Sequence, residues 1–478
     1  MNKLISNYLY TVLYQLLLIL TPFITTPYVS RVLKPEGIGI DAYVLSIVQL
    51  FLVFAILSIP LYGSRQVATK GNQNDTSKEF WSIYSVQLCI SLLTVAIYSI
   101  LVFTIDQHKI LFLVHIFTLI ASLLDISWYF IGKEKIKSVT LRNILVRVVS
   151  IIMIFTLVKD IDDLTIYVMI NAITLFVGQL IMWVPLLKEV RFVRVKFQDV
   201  KTHIVPILSL FIPQIMVQTY ILVNRVVLGQ VSGETEVGFY NQADKVVRIA
   251  LGFITSLGTV LLPRMANEFA QGNKESMKKY IQYALQFVLI ITLPMTFGLM
   301  GVAPNFISWF LGSDFAPVTH LLIIISPVIF FVGLANIFGI QILVATNQEN
   351  KYSISITFGA ILSLIINGIL VFHIASTATA IALLVAEATG ALIQMYFARN
   401  YFNIRHFIVL FSKYFILSVF VFGVVYMGGF WFSGNPIIIT VLQIVIGGIT
   451  YLLGLIIIRD TMVTRVLALI NKKLASKG

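Results

Sequence analysis

The chain is poor in the residues that soluble enzymes and secreted scaffolds depend on. Of 478 residues only one is cysteine, Cys89, so no intrachain disulfide and no cysteine-based metal site is available. Charged residues make up 12% of the chain, about half the share of an ordinary soluble domain, roughly 25%. No GxxxxGK[ST] loop is present, which excludes ATP hydrolysis by this chain, and no HExxH, EF-hand or GxSxG pattern occurs. The six histidines are scattered without ligand spacing. Neither cofactor nor metal is expected, and the outward loops are too short to seat a catalytic domain, so the chain reads as a non-enzyme.

What the sequence has in abundance is hydrocarbon. It is 58% hydrophobic, with a mean hydropathy of +0.94. A membrane-crossing helix needs about 20 mostly apolar residues, and a scan of the chain gives fourteen candidate spans: 4–30, 40–62, 80–104, 110–131, 144–158, 164–187, 204–228, 239–262, 280–302, 317–345, 352–372, 377–398, 412–430 and 436–458. The first run has no small-residue cleavage site and carries Gln15, Pro22 and Pro27, so it is expected to be a retained helix rather than a signal peptide. The formal charge of +13 is not a nucleic-acid signature. With both termini placed on the cytoplasmic side, 27 of the 34 Lys and Arg fall in inward segments, as the positive-inside rule requires. The exceptions are Arg31, Lys34, Lys109, Lys159, Arg225, Lys245 and Arg248.

The chain also repeats itself. Ser30-Arg31-Val32-Leu33 followed by Gly37 and Gly39 returns as Asn224-Arg225-Val226-Val227-Leu228 followed by Gly238. Gly39 precedes Arg65 by 26 residues, and Gly238 precedes Arg264 by the same distance. The fold class expected is therefore an all-α polytopic membrane protein of about 14 helices. Two six-helix lobes would be related by a pseudo-twofold axis along the membrane normal, with two helices appended. The expected divisions are residues 1–203, 204–400 and 401–478, the last ending in a cytoplasmic amphipathic tail.

Polar residues inside spans are costly and mark cavities or interhelical bonds. Gln15 belongs to a polar stripe on the first helix, Gln214 and Gln218 to one on the seventh that ends at Arg225, and Asn241, Asp244, Lys245 and Arg248 open the eighth. Arg31, Arg225, Lys245 and Arg248 lie at outward helix ends against the usual charge bias. A cationic cavity for a phosphate-bearing substrate is one account, because guanidinium matches phosphate oxygens bidentately. Snorkelling and an i,i+4 pair of Asp244 with Arg248 are the others. Glu387, Asp125 and Asp41 are the acids within or next to spans, and are candidates for coupling transport to an ion gradient.

The stretch Pro27-Tyr28-Val29-Ser30-Arg31-Val32-Leu33, with Pro35-Glu36-Gly37-Ile38-Gly39, resembles the opening motif of bacterial polysaccharide-repeat flippases. Asn224 to Gly229 with Val237-Gly238-Phe239-Tyr240 is similar to that family's helix 7–8 junction. The family belongs to the multidrug/oligosaccharidyl-lipid/polysaccharide exporter superfamily. The resemblance implies transport of undecaprenyl-diphosphate-linked oligosaccharide across the bacterial cytoplasmic membrane for capsule or O-antigen assembly. Membrane lipids, a polysaccharide polymerase and assembly proteins are the implied partners, and no nucleic acid. This chain departs from the pattern at Lys34, where the family often has glycine. A drug/cation antiporter of the same superfamily, or a membrane polymerase or ligase, are the competing readings.

Overall fold

The computed structural model describes residues 3–271, 274–432 and 434–464; within them, nothing is said of the side chains of 3–16, 18, 19, 212–214, 253–270 and 274. Fifteen α-helices account for nearly all of it: α1 (Lys3–Ile56), α2 (Ile59–Ala68), α3 (Gln73–Thr104), α4 (Lys109–Leu123), α5 (Ser127–Gly132), α6 (Ile136–Leu157), α7 (Leu164–Glu189), α8 (Phe197–Ser232), α9 (Glu234–Ala270), α10 (Lys274–Phe310), α11 (Pro317–Ile325), α12 (Val328–Ala335), α13 (Glu349–Phe397), α14 (Ile404–Trp431) and α15 (Pro436–Ile457). A π-helical segment, Asn336–Val344, continues α12. An all-helical chain is what a hydrocarbon solvent dictates, because helices satisfy every backbone donor and acceptor within themselves.

Among the described residues ten helical stretches are long and apolar enough to cross a membrane, eleven when the bent pair Phe197–Phe211 and Ile215–Ser232 is taken as one. Two of the ten, Leu20–Ala68 and Glu349–Phe397, are 49 residues long. At 1.5 Å per residue such a helix would run about 74 Å, more than twice the roughly 30 Å hydrocarbon core. Each contains a backbone break that divides it: Lys34 (φ 58°, ψ 178°) in the first, Ile374 and Ala375 in the second. The fourteen spans read from the sequence are thus approximately recovered, with 239–262 falling on α9, part of whose side chains lie outside the described set.

One span is longer than hydropathy suggested. The fifth, expected at 144–158, runs from Ile136 to Leu157, so Arg142 joins Arg147 within a membrane helix. Window averaging penalised these arginines, but a helix separates its faces. Arg142 is buried, donating to Gln179 Oε1 at 2.5 Å and to Ser127 Oγ at 2.8 Å.

The chain forms two compact units. The first holds Met1–Asn241 with Ala360–Thr379; the second holds Gln242–Gly359 with Ala380–Gly478. In the first unit a core gathers Phe80, Trp128, Phe130, Ile59 and Val67. Its polar centre is Gln87. Helix α4 ends inside the protein, leaving carbonyls without helical partners. The Gln87 amide donates to the carbonyls of Ser122, Leu123 and Asp125, and its oxygen accepts from the Trp128 indole at 3.0 Å.

The second unit has a comparable knot where α15 ends. Asp460 is fully buried and accepts from Lys413 Nζ at 2.7 Å, Tyr414 Oη at 2.6 Å and the backbone N–H of Met462 at 2.9 Å. Burial alone raises a carboxyl, but these donors outweigh it and hold Asp460 below the usual carboxylate range. It also starts the tail helix at 461–464; the rest of the expected amphipathic tail, from 465, lies outside the described residues.

Two outcomes follow. Gln87→Leu orphans the carbonyls of Leu123 and Asp125 and an indole, at about 1–3 kcal/mol for each group left unsatisfied, and should lower the thermal midpoint of the purified protein sharply. Because the folded carboxyl is depressed, the stability Asp460 contributes is complete above the unfolded carboxyl pKa of about 3.9 and is lost as pH falls through the lower folded value. Thermal unfolding measured from pH 7 downwards should show that loss only in strong acid, and Asp460→Asn should remove it while being less stable at pH 7.

Candidate functional site

The first unit places the two repeated motifs against each other. Lys34 at φ 58°, ψ 178° has a counterpart 199 residues later, Gly233 at φ 92°, ψ 161°, which separates α8 from α9. Both conformations lie in a region that is essentially confined to glycine and costs other residues about 1–3 kcal/mol. Here is the physical reason a glycine is expected at position 34. Just beyond each break, Gly39 and Gly238 meet: a Cβ built on either lies 3.1 Å from the other's backbone nitrogen. A Cβ on Gly39 would also overlap the carbonyl oxygen of Glu234, and one on Gly238 that of Pro35. Pro35 and Glu234 are themselves 199 apart. The contact is therefore reciprocal in the way of a twofold interface, with the pseudo-axis passing between the two glycines.

Around this contact lie several of the residues singled out from the sequence. Arg225 carries its guanidinium 5.7 Å from the ring of Tyr240, which is buried, a separation at which cation and π-face attract. Its neighbour Asn224 fixes the helix rotation: the amide donates to Ser363 Oγ at 2.9 Å and the backbone carbonyl accepts from Asn367 at 3.3 Å. Thr379 Oγ1 closes the chain onto Asn367 at 2.8 Å, and Glu236 accepts from Ser376. These partners lie some 140 residues away in sequence, on the part of α13 that joins the first unit, which is why no sequence pattern announced them.

Gln218 is exposed into a cavity of about 280 Å³ between α8 and the second segment of α1, where Gln49 faces it across Leu52 and Leu222. A second cavity, about 460 Å³, lies among α1, α4, α6 and α7 and is lined by Asp41, His115, Asn143, Arg147, Tyr167 and Asn171. Gln49 and Leu52 line both. The sequence did not single out Gln49 or Arg147. Gln49 stands alone in a long apolar run, and Arg147 had been counted with the inward charges at the edge of its span.

The other candidates are placed as follows. Arg31 is exposed and donates to the Pro27 carbonyl one turn back at 2.7 Å. Asn241 is half-buried at the edge of the first unit. Lys245 and Arg248 belong to the second unit, where Arg248 pairs with Asp244 at 2.8 Å. Asp125 accepts from Ser127 N–H at 2.9 Å in the α4–α5 turn. Glu387 is half-buried in the second unit, within electrostatic reach of Tyr352. The side chains of Gln15 and Gln214 lie outside the described residues.

The family described as "Polysaccharide biosynthesis protein" matches residues 4–269, more than half of the chain. The chain belongs to that family. A second family, MatE, matches residues 210–369, which places the chain in the multidrug/oligosaccharidyl-lipid/polysaccharide exporter superfamily. A protein of Escherichia coli (strain K12) named as an O-antigen transporter is 25% identical over 387 residues, covering 80% of this chain and 93% of its own length. Among solved structures, a lipid II flippase, MurJ, in an inward closed conformation superposes with a TM-score of 0.71 at 18% identity, covering 96% of this chain and 100% of that one. An inward-facing multidrug resistance transporter of the MATE family gives 0.61 at 13% identity, covering 82% of this chain and 95% of that one. The fold is that of these proteins, and the chain is a multi-pass membrane member of the polysaccharide biosynthesis family.

The breaks make opposite demands on substitution. Lys34→Gly should raise thermal stability by about 1–3 kcal/mol as strain is relieved. Gly39→Val should destabilise by about 3 kcal/mol or more, because the clash is with backbone. Unfolding of the purified variants measures both; a Gly39→Val variant as stable as wild type would show that the two breaks are not in contact.

Proposed function

We propose that the chain moves a diphosphate-linked, polyprenyl-borne oligosaccharide from the cytoplasmic to the outer face of a bacterial cytoplasmic membrane, for assembly of a surface polysaccharide. The observation that carries this is Arg225, held over the buried Tyr240 ring by the Asn224 network, two turns along α8 from Gln218 and the Gln49–Gln218 cavity. A fixed guanidinium recognises phosphate oxygens, and paired primary amides offer donors and acceptors to sugar hydroxyls. The O-antigen transporter relative and the glycan-biosynthesis family support the same substrate class.

In this reading Arg31, Lys245 and Arg248 contribute further positive charge, Asn241 joins Gln218 as a sugar contact, and the termini are cytoplasmic. Turnover is driven downhill by an ion gradient. Of the three carboxylates, Asp41 lines a polar cavity, which favours it over Asp125, already committed to a helix turn, and over Glu387. The polysaccharide polymerase and assembly proteins act on the exported unit.

Deleting the gene and following the lipid-linked repeat unit tests the proposal. Cytoplasmic-face accumulation with loss of surface polysaccharide is expected; unchanged export would sink it. Restored from a plasmid, Arg225→Ala should export about tenfold less or worse, the loss of a charge-assisted bond, while Lys34→Ala should be milder. Wild-type export by both would refute the role of the cation.

A further inference from the structure

Two arginines five residues apart on α6 are treated very differently. Arg142 is buried and bonded to Gln179 and Ser127. Arg147 is exposed, and among the described residues no hydrogen bond or ion pair to it is found; it lines the 460 Å³ cavity beside Asn143 and Ser150. Asn143, Arg147 and Ser150 are spaced 4 and 3, one polar stripe on the helix. Arg147 stands 11 residues from Ile136 and 10 from Leu157, so it lies about 15–17 Å from either end, near the middle of a roughly 30 Å hydrocarbon core. A charge at that depth is expensive unless it faces a polar cavity and meets a partner.

Next to this cavity, on the outer face of the same two helices, runs an apolar groove of about 510 Å³. Leu145, Val149, Met153 and Leu157 form one wall and Met169, Ile173 and Val177 the other. It extends along α6 for about 18 Å. Val146 and Thr174 line both the groove and the cavity, so the two adjoin between α6 and α7. Through Gln49 and Leu52 the cavity in turn adjoins the Gln218 cavity. Polar and apolar compartments thus follow one another from the lipid-facing surface to the glutamines.

We propose that Arg147 holds the phosphate head of the transported lipid within the cavity, while the lipid's hydrocarbon chain stays in the α6–α7 groove. The inference rests on the lipid-linked substrate proposed above. The depth of Arg147 selects the occupant. Headgroups of resident phospholipids lie outside the hydrocarbon core, so only a lipid whose head is being carried through the protein brings phosphate to the midplane. Guanidinium supplies bidentate donors to it, and Asn143, Asn171 and the Tyr167 hydroxyl add further ones. Asp41, which also lines the cavity, keeps it from being a purely cationic trap, which favours release.

The test is equilibrium binding of radiolabelled undecaprenyl diphosphate to the full chain in phosphatidylcholine nanodiscs, with undecaprenol and phosphatidylglycerol as comparators. Arg147→Ala should bind the diphosphate about tenfold more weakly and undecaprenol unchanged, with Arg147→Lys intermediate and both variants equal to wild type in thermal stability. Val149→Trp with Met169→Trp, which fills the groove, should weaken both polyprenyl ligands, and excess phosphatidylglycerol should not compete. Binding by Arg147→Ala equal to wild type, or displacement by phosphatidylglycerol at equal concentration, overturns the site while leaving the flippase reading intact. A wild-type chain that fails to bind undecaprenyl diphosphate at all overturns both.

Discussion

The contact between Gly39 and Gly238 is the constraint from which the first unit is built. A hydrocarbon solvent permits only helices, and a helix much longer than the bilayer must break. The chain breaks at Lys34 and again 199 residues later at Gly233, in the same unusual backbone conformation. Two backbones then approach so closely that neither can carry a side-chain atom at the point of contact. The reciprocal pairing with Pro35 and Glu234 makes duplication a geometric fact as well as a sequence pattern. Arg225, Asn224 and Glu236 take their positions from the helices that leave this contact.

Much of this was legible beforehand. Apolar runs mark spans because burial in lipid tolerates little else, and the 26-residue spacing after Gly39 and Gly238 disclosed the repeat. The break at position 34 could be read only as a departure from a glycine-containing motif; its backbone angles supply the meaning. The site was harder. Hydropathy averages around a helix, so Arg142 looked like loop charge and Arg147 like the edge of a span, although one is a buried structural group and the other faces a cavity. The network of Asn224, Ser363, Asn367 and Thr379 joins residues about 140 apart, and no local periodicity encodes that. Asp244 and Arg248 were visible as an i,i+4 pair, and they do pair.

Polar groups in this protein fall into two kinds, told apart by whether their partners are already present. Gln87, Arg142 and Asp460 are bonded to neighbouring carbonyls, hydroxyls or amines, and they close helix ends or bind helices together. Gln49, Gln218 and Arg147 point into space large enough for a ligand. The second kind has a cost in the empty state that only a bound polar group repays, so retention of such residues at membrane depth is itself an argument for traffic.

Arg31 stands three residues before its break, and Arg225 stands eight before its own. The repeats are otherwise in register, with an offset of 199 at the breaks against 194 at the arginines. Five residues amount to about 7.5 Å along a helix. A perfect duplicate would present two identical handholds at one height, competing for the same charge. The extra turn and a half staggers them, so that the two handholds stand at different heights along the membrane normal.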